Sequence, residues 1–142
     1  MEAQDMVGHL IRRLHQISTQ IFMTRLRDAG FDLTPVQFAA MDAIRDHPGI
    51  DQASVAALIA YDRATIGGVI DRLVTKGLVA RHVSDRDRRA REVRLTDEGV
   101  RSFSALLPLV RALQDDILGA LTGEERARFK MLAGKAVTGG QG

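Results

Sequence analysis

No cysteine occurs anywhere in the sequence, which removes disulfides, thiolate metal sites and thiol-based redox sensing together. Asparagine is absent too, so there is no N-glycosylation acceptor. Aromatic residues make up only 4% of the chain, so a core must be built from Leu, Ile, Val, Ala and Met, a composition that favours helices over a β-sandwich. No apolar run is long enough to span a bilayer, and the opening Met1-Glu2-Ala3-Gln4-Asp5 is acidic with no apolar signal core. These absences lead us to expect a chain that stays in the reducing cytoplasm. The four histidines (His9, His15, His47 and His82) stand in no spacing with a carboxylate that reads as a ligand set, so neither a metal nor a cofactor is expected. Nucleophile–base pairs and phosphate loops are also lacking. The paired acids Asp115-Asp116 and Glu124-Glu125 read as surface and helix-start residues, and no enzymatic activity is expected.

What is present suits one domain: 142 residues, 45% hydrophobic and 27% charged. The net charge of +2 becomes informative once it is localised. Between Arg81 and Arg94 six arginines (Arg81, Arg86, Arg88, Arg89, Arg91 and Arg94) stand against Asp85, Asp87 and Glu92, so this short segment carries more positive charge than the whole chain. Of the 20 basic residues only Lys76, Lys130 and Lys135 are lysine. Arginine offers a planar fork to phosphate and guanine edges, and a GC-rich genome gives the same bias.

Along the chain, Leu10, Leu14, Ile17 and Ile21 repeat on one helical face, and Gly30 is a natural stop. Thr34-Pro35-Val36-Gln37 is a capping box that opens a second helix through about Arg45, which His47-Pro48-Gly49 breaks. Asp51 is placed to cap a short third helix directing Val55, Leu58 and Ile59 inward. After a turn at Ala60-Tyr61, Asp62 is placed to cap a fourth, with Ile66, Val69, Ile70 and Leu73 inward and Gly77 ending it. Two short helices so closely joined form the helix-turn-helix pattern. The period then changes to two: Leu78–Val83 and Arg91–Leu95 read as strands around a charged tip, Ser84 to Arg89. Thr96-Asp97-Glu98 restarts a helix that Pro108 should kink. Thr122-Gly123-Glu124-Glu125 opens a last helix through about Val137, before a flexible Gly139-Gly140-Gln141-Gly142 tail. The expected fold is mainly α with a small β-hairpin wing: a winged helix-turn-helix of about six helices. The helix-turn-helix and wing span about 34–95, flanked by long helices at about 5–30 and 96–138.

The inward stripe of the fourth helix leaves Ala64, Gly68, Asp71 and Thr75 facing out, flanked by Thr65, Gly67 and Arg72. Two adjacent glycines near an exposed helix face are unusual, since each costs roughly 0.5–1 kcal/mol relative to alanine. Close approach by a DNA major groove accounts for them, and so does tight packing on the third helix. Thr65 suits a phosphate or a thymine methyl, or is an ordinary first-turn residue. Arg63 and Arg72 suit phosphate or guanine, or are solvated and ion-paired. In the tip, Asp85-Arg86-Asp87-Arg88-Arg89 interleaves signs, and a carboxylate between arginines can fix one guanidinium for entry into a narrow minor groove. A solvated loop is the alternative, and the helix-turn-helix immediately before it favours the groove.

The run Asp62–Leu73 followed by Gly77-Leu78-Val79, Asp87-Arg88-Arg89-Ala90 and Leu95-Thr96-Asp97-Glu98-Gly99 resembles the MarR (multiple antibiotic resistance regulator) family over nearly the whole chain. That resemblance implies a homodimer formed by the first and last two helices. Each subunit would place its fourth helix in a major groove of a palindromic operator and its wing in the adjacent minor groove, with Asp87 orienting Arg89. Gly67 and Gly68 stand where many relatives carry larger polar residues, so base-reading contacts do not transfer there. Leu10-Ile11-Arg12-Arg13-Leu14-His15-Gln16 and Thr34-Pro35-Val36-Gln37-Phe38 are similar to members that control breakdown of aromatic acids. This implies a repressor released by a small aromatic carboxylate or its thioester. His9, Arg13, Gln16 and Gln20 share the helix flank where such a ligand would bind, Arg13 offering a bidentate pair; a solvated flank or dimer ion pairs would use the same residues. A nonspecific architectural DNA binder and a winged-helix protein-interaction adaptor remain as alternatives. The charged wing argues against the adaptor. Strong preference for an operator over random DNA, typically about 10³–10⁷-fold for specific binders, would argue against the architectural role.

Overall fold

The computed structural model describes residues 1–139, so Gly140-Gln141-Gly142 of the expected tail lie outside the described residues. A one-turn 3₁₀ segment, Glu2–Asp5, precedes helix α1 (Val7–Asp28), which stops just before Gly30 takes a left-handed φ of +87°. Helix α2 (Pro35–Asp46) opens on the anticipated capping box: the Gln37 amide donates to Thr34 Oγ1 and the Thr34 amide to Gln37 Oε1, both at 3.2 Å. Asp51 caps α3 (Gln52–Leu58) by accepting from the Ser54 amide at 2.8 Å. Next come α4 (Ile66–Thr75), strands β1 (Val79–Val83) and β2 (Arg91–Leu95), α5 (Asp97–Ile117) and α6 (Gly123–Gly139). Helix α5 runs on through Pro108, and Gly139 ends α6 instead of starting a tail.

Two expectations are corrected. Leu58 does not point inward; it is 56% exposed, because a helix of seven residues buries only Val55 and Ala56. Asp62 does not cap α4. Its carboxylate accepts from the Ala64 amide at 3.1 Å in a local turn, and the helix begins four residues later at Ile66, with Thr65 preceding it. On α1 the fully buried residues are Phe22 and Leu26; of the repeated face Leu14, Ile17 and Ile21 are half-buried, Ile21 against the core, and Leu10 is 52% exposed.

The core gathers Ile66, Val69, Ile70 and Leu73 of α4 with Ala40, Met41 and Ile44 of α2, Val55 of α3, Val79 and Val93 of the hairpin, and Phe103, Leu106 and Leu113 of α5. Phe38 stacks on Phe103 at 5.1 Å and meets Phe22 edge-on at 6.0 Å, so three of the few aromatics form one cluster. Emptying the Phe103 site would cost about 3–5 kcal/mol.

The hairpin is antiparallel with Val79 opposite Leu95 and Val83 opposite Arg91. A third segment, not anticipated, joins it: the Gly49 amide donates to Val93 O, the Val93 amide to Ile50 O, and Asp51 bridges Glu92. This ties the wing to the start of α3. At the other end, Thr96 Oγ1 donates to Gly77 O at 2.6 Å and accepts from the Gly99 amide at 3.0 Å, which fastens α5 to the end of α4. In contrast, α6 buries none of its residues. Phe129, Met131, Leu132 and Val137 on it, and Val7, Leu10 and Ile11 on α1, remain exposed.

Candidate nucleic-acid interface

The turn that delivers α4 is built locally. Ala60 adopts a left-handed φ of 55°, and Asp62 then gathers the Ala64 amide on its carboxylate and the Thr65 and Ile66 amides on its carbonyl. Four apolar side chains anchor α4 to the core, which fixes the opposite side outward: Gly68, Asp71, Arg72 and Thr75 are exposed, as are Ala64 and Thr65 in the turn before it. A Cβ at Gly68 would meet nothing within 4 Å, and one at Gly67 would meet only Gln52 Nε2 at 3.9 Å, ordinary contact. Packing on α3 therefore demands neither glycine.

The wing tip is ordered by two side chains. Ser84, 6% exposed, accepts the Arg86 amide at 3.2 Å and the Asp87 amide at 3.3 Å on its hydroxyl. Asp87 accepts the Arg89 amide at 3.0 Å on its carboxylate, so it reaches Arg89 through the backbone, and no ion pair of Asp87 occurs among the described residues. Arg86, Arg88 and Arg89 are left fanned into solvent. Beneath the tip, His82 faces Glu92 across the strands at 3.0 Å. The Ser84 hydrogen bond, helped by His82 and Arg94, holds the Glu92 carboxyl below the usual carboxylate range against a raising contribution from desolvation.

Between the wing and α4 lies a cleft of about 680 Å³. Arg63, Ala64 and Gly67 form one wall, Asp87 and Arg89 the other, and the start of α3 (Asp51 to Ser54) closes its base. Thr65, Gly68, Arg72, Arg86 and Arg88 lie exposed outside it. The protein thus offers one concave face whose charged lining sets Arg63, Arg89 and Arg91 against Asp51 and Asp87. Residues to which sequence reasoning gave no individual role are Ser84, Gln52 and Arg81. Arg81 belongs to the arginine cluster yet turns back to pair with Asp71 at 2.5 Å and Gln52 at 3.0 Å. A serine heading a turn of Asp and Arg is the composition of a hydroxyl-capped turn, so Ser84 had a legible signal.

Of the residues expected at an effector site, Arg13, Gln16 and Gln20 are exposed on α1 and His9 is half-buried; Arg13 donates to Gln16 Oε1 at 3.0 Å. None of the four lines the cleft of about 520 Å³ between α1, α5 and α6, whose α1 wall is Leu14, His15 and Ser18, faced by Arg126, Phe129 and Lys130. Among the described residues no group of three potential ligands is placed to hold a metal, and no helix is long and apolar enough to cross a membrane.

Comparison with known proteins agrees with this geometry. The sequence profile of the MarR family matches residues 31–90. The HTH-type transcriptional repressor NicR of Pseudomonas putida is 34% identical over 136 residues, covering 96% of this chain and 85% of the relative. Among solved structures, Bordetella bronchiseptica BpsR, whose DNA binding is regulated by 6-hydroxynicotinic acid, superposes with a TM-score of 0.84 at 32% identity over 94% of both chains. The transcriptional repressor CouR, bound to a 23-mer DNA duplex, does so with a TM-score of 0.80 at 28% identity over 95% of both chains.

Proposed function

The chain belongs to the MarR family and is a DNA-binding transcriptional regulator; we propose that it is a homodimeric repressor of a palindromic operator, released by a small aromatic carboxylate or its thioester. The observation that carries the DNA-binding part is the single cleft that sets Arg63, Ala64 and Gly67 opposite Asp87 and Arg89. In this reading α4 enters a major groove and the wing tip an adjacent minor groove. Arg86, Arg88 and Arg89 supply the charge there, while Arg63 and Arg72 take the phosphates flanking the helix. Residues of about 34–95 form the DNA-binding lobe. Residues of about 5–30 and 96–138 dimerise.

Two features support the dimer. Helix α6 buries no residue in the isolated chain, and a helix of its length without a packed face is marginal in water. The exposed apolar side chains of α1 and α6 supply the face that a second copy would cover. The ligand reading rests on the resemblance to BpsR and on Arg13, whose fork on the open flank of α1 is suited to a carboxylate. The protein works in the cytoplasm and catalyses no reaction.

The test is fluorescence anisotropy of the purified protein on DNA flanking its own gene and on scrambled DNA, at two salt concentrations. Tight, palindrome-dependent binding with a steep salt slope is expected, followed by release when small aromatic acids are added. Equal, weak binding to both DNAs would point to a nonspecific architectural protein instead.

A further inference from the structure

The exposed face made by the turn into α4 and the start of the helix carries few groups able to exchange hydrogen bonds with a base. Ala64 has no polar atom, and Gly67 and Gly68 have no side chain. Asp71, the carboxylate of this face, is held at 2.5 Å by Arg81, which Gln52 also engages. Thr65 donates its hydroxyl proton to the Asp62 carbonyl at 3.2 Å, so the donor is occupied and the methyl remains on an exposed residue. Arg63 lies in the cleft beneath the wing, and Arg72 sits on the flank of the helix, positions suited to phosphates. What the stretch from Ala64 to Gly68 offers a groove is small and largely apolar.

The major groove contains one apolar group, the 5-methyl of thymine, and alanine and threonine methyls are its usual partners. Resting on the operator-binding reading above, we infer that the turn leading into α4 discriminates bases by apolar contact of Ala64 and Thr65 with thymine methyls, and not by a hydrogen-bonding side chain. The glycine pair serves that contact. With no Cβ at Gly68 the helix backbone comes closer to the bases than a longer side chain allows, and methyl-to-methyl contact is short-ranged.

The experiment starts by selecting duplexes from a random library with the full-length protein. In the winning duplex each thymine is replaced in turn by deoxyuridine, which removes only the methyl. Separately, each purine is replaced by its 7-deaza analogue, which removes only the N7 acceptor. Both edits lie in the major groove, so the minor-groove contribution of the wing is unchanged. We expect deoxyuridine at one or more thymines of each half-site to weaken binding about fourfold, the yield of burying one methyl-sized group, and 7-deazapurines to change affinity less than twofold, roughly. Ala64→Gly should weaken binding to the thymine duplex and be indifferent to deoxyuridine at the position it contacted. Silence of every deoxyuridine, or a 7-deaza loss larger than any deoxyuridine loss, overturns the inference. The duplex edits decide it even if Ala64→Gly fails to fold. Selection that enriches no duplex would overturn the operator-binding reading itself, and this one with it.

Discussion

Gly99 sits in the first turn of α5 where a Cβ would lie 2.1 Å from the carbonyl oxygen of Leu78. That oxygen is backbone, and it already accepts the Thr96 amide at 3.0 Å, so it cannot swing aside as a flexible side chain would. Reaching even the 3.0 Å limit of real Cβ contacts requires α5 and the end of α4 to separate by about 1 Å. Thr96, which bonds both Gly77 O and the Gly99 amide, resists that separation. Overpacking of this kind costs typically about 1–3 kcal/mol, here at the upper end because the obstacle is main chain. Alanine in a helix returns at most about 1 kcal/mol over glycine. Gly99→Ala should therefore lose about 2 kcal/mol, a fall in Tm of roughly 4–8 °C for a chain of this size. Thermal melts followed by circular dichroism, at one fixed protein concentration so that association does not shift the midpoint, make the measurement. Gly68→Ala is the internal control: with nothing within 4 Å of its Cβ it should gain roughly 0.5–1 kcal/mol. A Gly99→Ala protein that melts at or above the parent temperature refutes the argument.

Arg89→Ala should weaken operator binding and lower the salt slope by about 1, with the oligomeric state by light scattering unchanged; an unaltered affinity would remove the wing tip from the interface. Arg13→Ala should keep operator affinity while raising the concentration of aromatic acid needed for release. An unaltered response in that titration would move the ligand to the cleft lined by His15, Arg126 and Lys130. Because the Ser84 hydrogen bond and then His82 lower the Glu92 carboxyl relative to 4.5, the stabilisation it gives the wing is complete above that value and is lost as pH falls through its lower folded value. Glu92→Gln should accordingly flatten the acid side of a stability–pH profile below about 4.5, and an unchanged acid limb would deny Glu92 that role. Ending the chain after Gly119 removes α6 and should leave an unstable or monomeric product, whereas a well-folded dimer by size-exclusion chromatography would refute the assigned interface.

The helix starts that were legible in the sequence are those where a side chain closes on an amide a few residues away. Thr34 with Gln37, Asp51 with Ser54, Thr96 with Gly99 and Thr122 with Glu125 all do so. Asp62 misled because the same chemistry also closes an isolated turn, and only the stripe from Ile66 onward marks the true start of α4. Leu58 misled for a different reason: seven residues make two turns, too few for periodicity to define a face. The Gly49–Asp51 pairing with β2 and the contact of Gly99 with Leu78 had no local signature at all. Both are made by main chain between segments distant in sequence.

The candidate site divides along the same line. Its charges were visible as residue types, but what each charge is free to do was not. Arg81 and Asp71 neutralise each other, while Arg86, Arg88 and Arg89 are kept available by Ser84 and Asp87, which order the tip through its amides. The charged hairpin tip was the more specific sequence feature, whereas the two adjacent glycines near an exposed helix face were equally open to DNA approach and to packing on α3. The structure removes the packing explanation for both, since a Cβ at either would meet no more than ordinary contact, and leaves close approach from outside the chain as the reading that the duplex experiment tests.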